Sequence, residues 1–153
     1  MKLFLCSHFS SVGNLIKEEI EMKKVVFVPT ASLNEGYTGY VGSAKKLFNK
    51  MGAVVTEIDI SKEDFSTIKS AFEDANIIYF TGGNSFFLID QLRQTGVDKL
   101  LKEELEKGKL MIGESAGAII CAPNISYIER MDEKPEGYSQ SDDGGLNLID
   151  FYV

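Results

Sequence analysis

Residues 110–120 of the chain read LMIGESAGAII, in which a short apolar run leads directly into a Gly-x-Ser-x-Gly pentapeptide. A second run of small and apolar residues follows at once. This order predicts a buried strand, a sharp turn with Ser115 at its tip, and then a helix. Cβ atoms at Gly113 and Gly117 would obstruct the unusual backbone of such a turn and the close approach of strand and helix. The stretch therefore predicts an elbow that presents the Ser115 hydroxyl above a sheet.

Two interpretations of Ser115 fit this elbow. In the first, Ser115 is a catalytic nucleophile, and the N–H of Ala116, unpaired in the first turn of the helix, stabilises an oxyanion. In the second, the segment is only a tight connection and Ser115 caps the helix. The local pattern favours the nucleophile and leaves the cap open.

Outward from the elbow, apolar runs alternate with helical periodicity along the whole chain. Strands are predicted at residues 2–7, 25–28, 53–60, 76–80, 110–114, 125–128 and 146–153, and helices at 12–22, 41–51, 65–74, 86–94 and 97–107. The polar segment 129–145 is predicted to be an exposed loop. This βαβα alternation predicts one three-layer αβα domain with a mostly parallel sheet and right-handed crossovers.

Composition excludes several classes of function. The net charge of −7 argues against sequence-independent nucleic-acid binding, which needs a basic surface. Cys6 and Cys121 lie in apolar runs without CxxC spacing, so we interpret them as reduced thiols in a cytoplasmic protein. With a single histidine and no zinc signature, we expect no metal and no cofactor. No run is long enough for a transmembrane helix, so no membrane contact is expected.

In a parallel sheet, binding groups collect at the carboxyl ends of the strands. The glycine pair before Asn84 follows one predicted strand, so the amide of Gly83 is positioned to join that of Ala116 around an oxyanion. A plain turn is the alternative for these glycines. His8 follows the first predicted strand at the same edge, where it is either a base for Ser115 or a solvent-facing loop residue.

Three segments together resemble the peptidase E family: FTGGNSF at residues 80–86, GESAGA at 113–118 and CAPNI at 121–125. That family consists of aspartyl dipeptidases, serine peptidases that are related to cyanophycinase and have a class-I glutamine-amidotransferase-like α/β fold. The resemblance extends from the first strand to the end of the chain. The pair GGN-x-F and G-x-SAGA, in this order and spacing, is far more specific than either half.

The resemblance implies roles for individual residues. Ser115 matches the family nucleophile, and Gly83 and Ala116 match the residues whose amides form the oxyanion hole. The family acid falls after the elbow helix, so Glu129 and Asp132 are candidates for that role. Asn84 is a candidate for substrate binding.

In that family the catalytic histidine follows a strand that residues 145–153 resemble, and this sequence stops where the histidine is expected. We therefore expect a domain that lacks its C-terminal portion, with a nucleophile and an oxyanion hole but no matching base. Loss of one member of a catalytic triad leaves only residual catalysis, so the 153 residues alone are expected to have little activity.

The expected function is that of a cytoplasmic serine peptidase that cleaves small peptides through an acyl-enzyme on Ser115. Dipeptides with an N-terminal Asp are the substrates that the resemblance implies. Two alternatives remain open. One is a catalytically inactive binding or regulatory domain, and the other is an esterase or amidase that uses the same elbow on non-peptide substrates.

Overall fold

The sheet of the protein contains five parallel strands, and the computed structural model describes all residues from 1 to 153. The strands are β1 (Lys2–Cys6), β2 (Lys24–Val28), β3 (Val54–Glu57), β4 (Ile77–Phe80) and β5 (Leu110–Glu114). Their spatial order is β1-β5-β4-β2-β3. The elbow strand β5 thus lies between β1 and β4, so both of its neighbours bring their carboxyl ends to the elbow.

Seven α-helices connect and cover the strands. They are α1 (Phe9–Val12), α2 (Lys17–Ile20), α3 (Gly39–Lys50), α4 (Phe65–Asp74), α5 (Ser85–Thr95), α6 (Val97–Glu106) and α7 (Ala116–Ile119). Three short 3₁₀ segments complete the chain, at Gly13–Ile16, Thr30–Ser32 and Ser126–Ile128. None of the helices combines the length and the apolar character that a bilayer crossing requires.

Alternate residues of the central strands face two different helical layers, as the period of a strand requires. Val25 and Phe27 of β2 pack in one apolar cluster with α1, α2 and α3. Val26 and Val28 pack in a second, larger cluster with α4, α5, α6 and α7. The sheet is therefore covered on both faces, and the predicted three-layer α/β fold is confirmed.

The helix predicted at residues 12–22 is broken in the structure into α1, a 3₁₀ turn and α2. Phe9, one turn before the predicted start, is fully buried and its ring stacks on Phe48 at 4.6 Å. A Cβ on Gly13 would lie 2.7 Å from the Phe9 ring, so the chain packs too tightly there for a regular helix with a side chain at this position. In this broken arrangement the Leu15 side chain is 79% exposed.

The strand predicted at 125–128 is a 3₁₀ turn instead. Ile125 and Ile128 are both buried, and a spacing of three residues places two side chains on one side of such a turn. The apolar residues Ile125 and Ile128 therefore mark a buried turn, and the predicted strand was wrong.

The strand predicted at 146–153 is also absent. The amides of Leu146, Leu148 and Ile149 donate to the carbonyls of Ile120 and Cys121, which lie just after α7. The last carbonyls of a helix need partners from outside the helix, and this segment supplies them. Leu146 is buried by wrapping around the end of the elbow helix, without joining the sheet.

Candidate active site

The elbow between β5 and α7 is built on two glycines that tolerate no side chain. A Cβ on Gly113 would lie 2.4 Å from the carbonyl oxygen of Gly117, and a Cβ on Gly117 would lie 2.6 Å from that of Phe80. Both distances are far inside van der Waals contact with rigid backbone. Between them Ser115 has φ 48° and ψ −106°, a conformation that costs an L-residue free energy.

The Ser115 side chain is exposed and forms no capping hydrogen bond, although Ser115 occupies the N-cap position of α7. Its backbone does the capping, because its carbonyl accepts from the amides of Ala118 and Ile119. Its amide donates to the carbonyl of Cys6 at 2.8 Å, which fixes the elbow to the end of β1. The hydroxyl is thus left free for chemistry.

Two backbone amides beside Ser115 have no hydrogen-bond acceptor within the chain, those of Gly83 and Ala116. Gly83 has φ 133°, and a Cβ there would lie 2.0 Å from the carbonyl oxygen of Ala31. A Cβ on the preceding Gly82 would lie 3.3 Å from the Cβ of Ser115. The glycine pair therefore brings the loop after β4 into contact with the elbow. Gly83 lines the cleft beside Ser115, whereas Ala116 is buried and does not line it.

A cleft of about 290 Å³ opens at this point. Its lining comes from the ends of three strands and from the loop before α3, and comprises Ser7, His8, Glu35, Tyr37, Tyr40, Gly82, Gly83, Glu114 and Ser115. Two of the lining residues are carboxylates and none is a lysine or arginine. The electrostatic character of the cleft is therefore acidic.

Glu114, next to Ser115 in sequence, points into the protein and is only 1% exposed. Its carboxylate accepts from the amide of Phe9 at 2.8 Å and from the hydroxyl of Tyr79 at 2.5 Å. Burial, followed by the charge of Glu114, raises the pKa of Tyr79, so the tyrosine remains a donor. Glu114 thus connects β5 to the start of α1 on one side and to β4 on the other.

His8 follows β1 and is one of the residues that line the cleft. Its Nδ1 lies 3.0 Å from the hydroxyl oxygen of Ser10 and 3.9 Å from a carboxylate oxygen of Glu114. The side chain remains 49% exposed. The histidine therefore lies in the same cleft as Ser115 and close to a buried carboxylate.

Tyr40 is a cleft residue that the sequence did not indicate, because the predicted helix began one residue later, at Val41. Burial first, and then nearby carboxylates, raise the pKa of Tyr40 to about 12. The only signal in the sequence was the glycine-flanked loop that precedes α3, which has no chemical motif of its own.

Asn84, Asp132 and Glu129 lie outside the lining of the cleft, and the first two bond to the start of α5. The Asn84 side chain accepts from the amide of Phe87 and donates to the carbonyl of Glu133, so it caps the helix and anchors the following loop. Asp132 accepts from the amide of Ser85 at 2.8 Å. Glu129 is exposed and pairs with Lys134. Of the two candidate acids, only Asp132 is tied to the loop that carries Gly83.

The two thiols are unsuited to nucleophilic chemistry at neutral pH. Burial raises the pKa of Cys121 to about 12, and burial together with the charge of Glu114 raises that of Cys6 to about 12. Both cysteines are free. No group of three or more His, Cys, Asp and Glu side chains is arranged to hold a metal ion. Neither cysteine lines the cleft, whereas Ser7 and Ser115 do.

Two solved structures resemble this arrangement. A peptidase E candidate from Listeria monocytogenes matches with a TM-score of 0.95 and 45% identity over 99% of this chain and 77% of its own. A peptidase from an acI-B1 actinobacterium matches with a TM-score of 0.75 and 21% identity over 97% of this chain and 64% of its own, which supports the fold alone.

Sequence comparison leads to the same group of proteins. An uncharacterized peptidase of Listeria monocytogenes is 45% identical over 152 residues, covering 97% of this chain and 74% of that protein. Peptidase E of Escherichia coli is 29% identical over 163 residues, covering 100% of this chain and 67% of that protein. The profile of Peptidase family S51 matches residues 5–153. The chain belongs to peptidase family S51.

Proposed function

We propose that this peptidase is a serine peptidase that cleaves small peptides through an acyl-enzyme on Ser115. One observation carries the proposal: an exposed, unpartnered serine hydroxyl lies on a strained elbow, and the nearby amides of Gly83 and Ala116 have no acceptor within the chain. Nucleophile elbows of serine hydrolases have this combination because the hydroxyl must be accessible and an oxyanion must be held beside it.

In the proposed reaction, the Ser115 hydroxyl oxygen attacks the carbonyl carbon of the scissile peptide bond. The carbonyl oxygen becomes an oxyanion that accepts from the amides of Gly83 and Ala116. Collapse of the tetrahedral intermediate releases the amine and leaves an ester on Ser115, which water then hydrolyses. Each turnover thus consumes one water and produces a carboxylic acid and an amine.

Attack requires a base for the Ser115 proton and a group that orients the base. His8 is the histidine of this chain, and it lines the cleft. The variant His8→Asn therefore tests whether His8 is the base. For the orienting acid we propose Asp132 over Glu129. The Asp132 carboxylate is anchored next to the Gly83 loop, whereas Glu129 is exposed and paired with Lys134.

The substrate part of the proposal is a dipeptide with an N-terminal Asp, and it rests on the family resemblance. The cleft volume of about 290 Å³ suits a ligand of this size. The lining offers no lysine or arginine to an aspartate carboxylate, so a panel of dipeptides with N-terminal Asp, Ala and Lys tests this part separately. A cytoplasmic location is proposed because both thiols are free.

Labelling by a fluorophosphonate probe tests the nucleophile. The wild-type protein and Ser126→Ala, an exposed serine away from the cleft, are expected to be labelled, and Ser115→Ala is not. Labelling of Ser115→Ala at the wild-type rate would refute the assignment. A wild-type protein that neither labels nor cleaves would instead favour a binding or regulatory domain. Cleavage of p-nitrophenyl esters without any dipeptide would favour the esterase alternative.

A further inference from the structure

Tyr40 approaches Ser115 closely because the residue between them is a glycine. A Cβ on Gly82 would lie 3.3 Å from the Cβ of Ser115 and also 3.3 Å from Cε2 of Tyr40. The edge of the Tyr40 ring and the Ser115 side chain thus both lie next to the space that a side chain at position 82 would occupy. Tyr40 comes from the first turn of α3, far from the elbow in sequence.

The Tyr40 hydroxyl is free to act on a ligand. It forms no hydrogen bond with another residue of the chain, whereas the buried phenol of Tyr79 on β4 donates to Glu114. Tyr40 is half-buried and lines the cleft together with Ser115 and Gly83. An unbonded polar group in a catalytic cleft is available to a substrate.

The surroundings of the Tyr40 phenol determine which chemical role it can have. A tyrosine in a hydrolase cleft can act as a base, as a nucleophile or as a hydrogen-bond donor. The first two need the phenolate, but burial and nearby carboxylates raise the pKa of Tyr40 to about 12. The phenol is therefore protonated at neutral pH, and only the role of a donor remains.

We propose that Tyr40 is a further catalytic residue, whose O–H donates a third hydrogen bond to the oxyanion that forms on the substrate carbonyl beside Ser115. The proposal rests on the serine-peptidase function proposed above. The ring of Tyr40 lies against Gly82, the residue before the Gly83 amide, and lines the same cleft as Ser115 and Gly83. A neutral donor suits a cleft whose carboxylates would oppose an anion.

The test is steady-state kinetics of Tyr40→Phe, with Tyr127→Phe as the matched control. Tyr127 is exposed and its hydroxyl bonds to the carbonyl of Val153, away from the cleft. A donor that acts only in the transition state lowers kcat without changing KM. We expect Tyr40→Phe to lower kcat by about 10- to 100-fold with unchanged KM, and Tyr127→Phe to match the wild type. An unchanged kcat, or a rise in KM alone, would overturn the proposal.

Inhibitor binding gives a second measurement that does not depend on turnover. A peptide aldehyde adds to Ser115 and forms a hemiacetal with an oxyanion-like oxygen, whereas the corresponding alcohol does not. Tyr40→Phe should weaken the aldehyde by a factor similar to its loss in kcat and leave the alcohol unchanged. Equal weakening of both would refute an oxyanion role. If the wild-type protein is not labelled by the fluorophosphonate probe, the serine mechanism itself is refuted. Failure of the Tyr40 proposal is therefore distinguishable from failure of the proposed function.

Discussion

At the scale of single residues, the backbone of Ser115 is the most unusual feature of the chain. A non-glycine residue in a sparsely populated region costs about 1–3 kcal/mol, whereas glycine adopts such a region at little cost. Ser115 has φ 48° and ψ −106°. We therefore expect Ser115→Gly to be more stable than Ser115→Ala by about 1 kcal/mol in urea denaturation.

Both variants lack the hydroxyl, so their difference isolates the backbone. Both should also fail to label with a fluorophosphonate. Equal midpoints for the two variants would mean that the elbow relaxes without strain when the side chain is alanine.

The two candidate acids are also distinguished at this scale. Asp132 accepts from the amide of Ser85, and Glu129 pairs with Lys134 at the surface. Asp132→Asn preserves an acceptor oxygen for the Ser85 amide but removes the charge, so the fold should survive while the proposed orienting carboxylate is lost. We expect kcat to fall by about 100-fold or more, by analogy with an orienting acid in a triad.

Glu129→Gln is the matched control, and it should keep kcat within about a factor of two because surface ion pairs contribute little. The kcat values of the two variants, measured with the same dipeptide, decide the matter. A larger loss in Glu129→Gln than in Asp132→Asn would reverse the assignment.

At the scale of elements, glycines in two helices should respond in opposite ways to alanine. A Cβ on Gly117 of α7 would lie 2.6 Å from the carbonyl oxygen of Phe80, whereas a Cβ on Gly42 of α3 would meet nothing within 4 Å. Gly117→Ala should therefore destabilise the protein by about 2–4 kcal/mol. Gly42→Ala should stabilise it by about 0.5–1 kcal/mol, because alanine is the better helix former.

Thermal and urea unfolding of the two variants provide the measurement. A Gly117→Ala variant as stable as the wild type would show that α7 can move away from β4. The close contact that holds the elbow would then not be needed for folding.

The sequence predicted those elements whose signals are local. The order of apolar runs predicted all five strands of the sheet, and the helix predicted at 65–74 is α4, which Asp64 caps by accepting from the amide of Thr67. The elbow was predictable because its glycines and its apolar flanks are contiguous. Predictions of secondary structure were wrong where contacts with residues distant in sequence determine the conformation. The final segment is an example, because its amides pair with carbonyls just after α7.

The candidate site divides in the same way. Ser115, Gly83 and Ala116 belong to short backbone motifs, so the sequence alone indicated them. Tyr40 enters the cleft only because the loop after β2 folds over Gly82, and no local pattern reports such a contact. The sequence also gave no sign that Glu114 would be bonded to Tyr79 and Phe9, since both partners lie on other elements.

At the scale of the whole molecule, buried carboxylates fasten the long polar loop to the helical layer. The Asp90 side chain of α5, 3% exposed, accepts from the amide and hydroxyl of Ser139 and from the side chain of Gln140. On the far side of the loop, Lys134 lies between Glu129 and Asp143. The loop that carries Asp132 is therefore held in place by ionised carboxylates, which makes its attachment dependent on pH.

The sign of this dependence follows from the Asp90 carboxyl. Burial opposes ionisation, but hydrogen bonds from Gln140, Ser139 and Gln94 outweigh it and lower the pKa of Asp90 below its ordinary value. A carboxyl with a lowered pKa stabilises the folded state above its ordinary pKa, and this stability is lost as the pH falls through the folded value. We therefore expect the free energy of unfolding to decline on acidification, and Asp90→Asn to decline less steeply.

Urea denaturation between pH 7 and pH 3 measures both slopes, with the exposed Asp150→Asn as the control that should follow the wild type. At pH 7, Asp90→Asn should be less stable by about 1–3 kcal/mol, because an amide cannot accept the same set of hydrogen bonds. The gap should close towards pH 3 as the wild-type carboxyl becomes protonated. A gap that stays constant over the whole range would mean that the charge of Asp90 does not hold the loop, and that packing of the loop against α5 does.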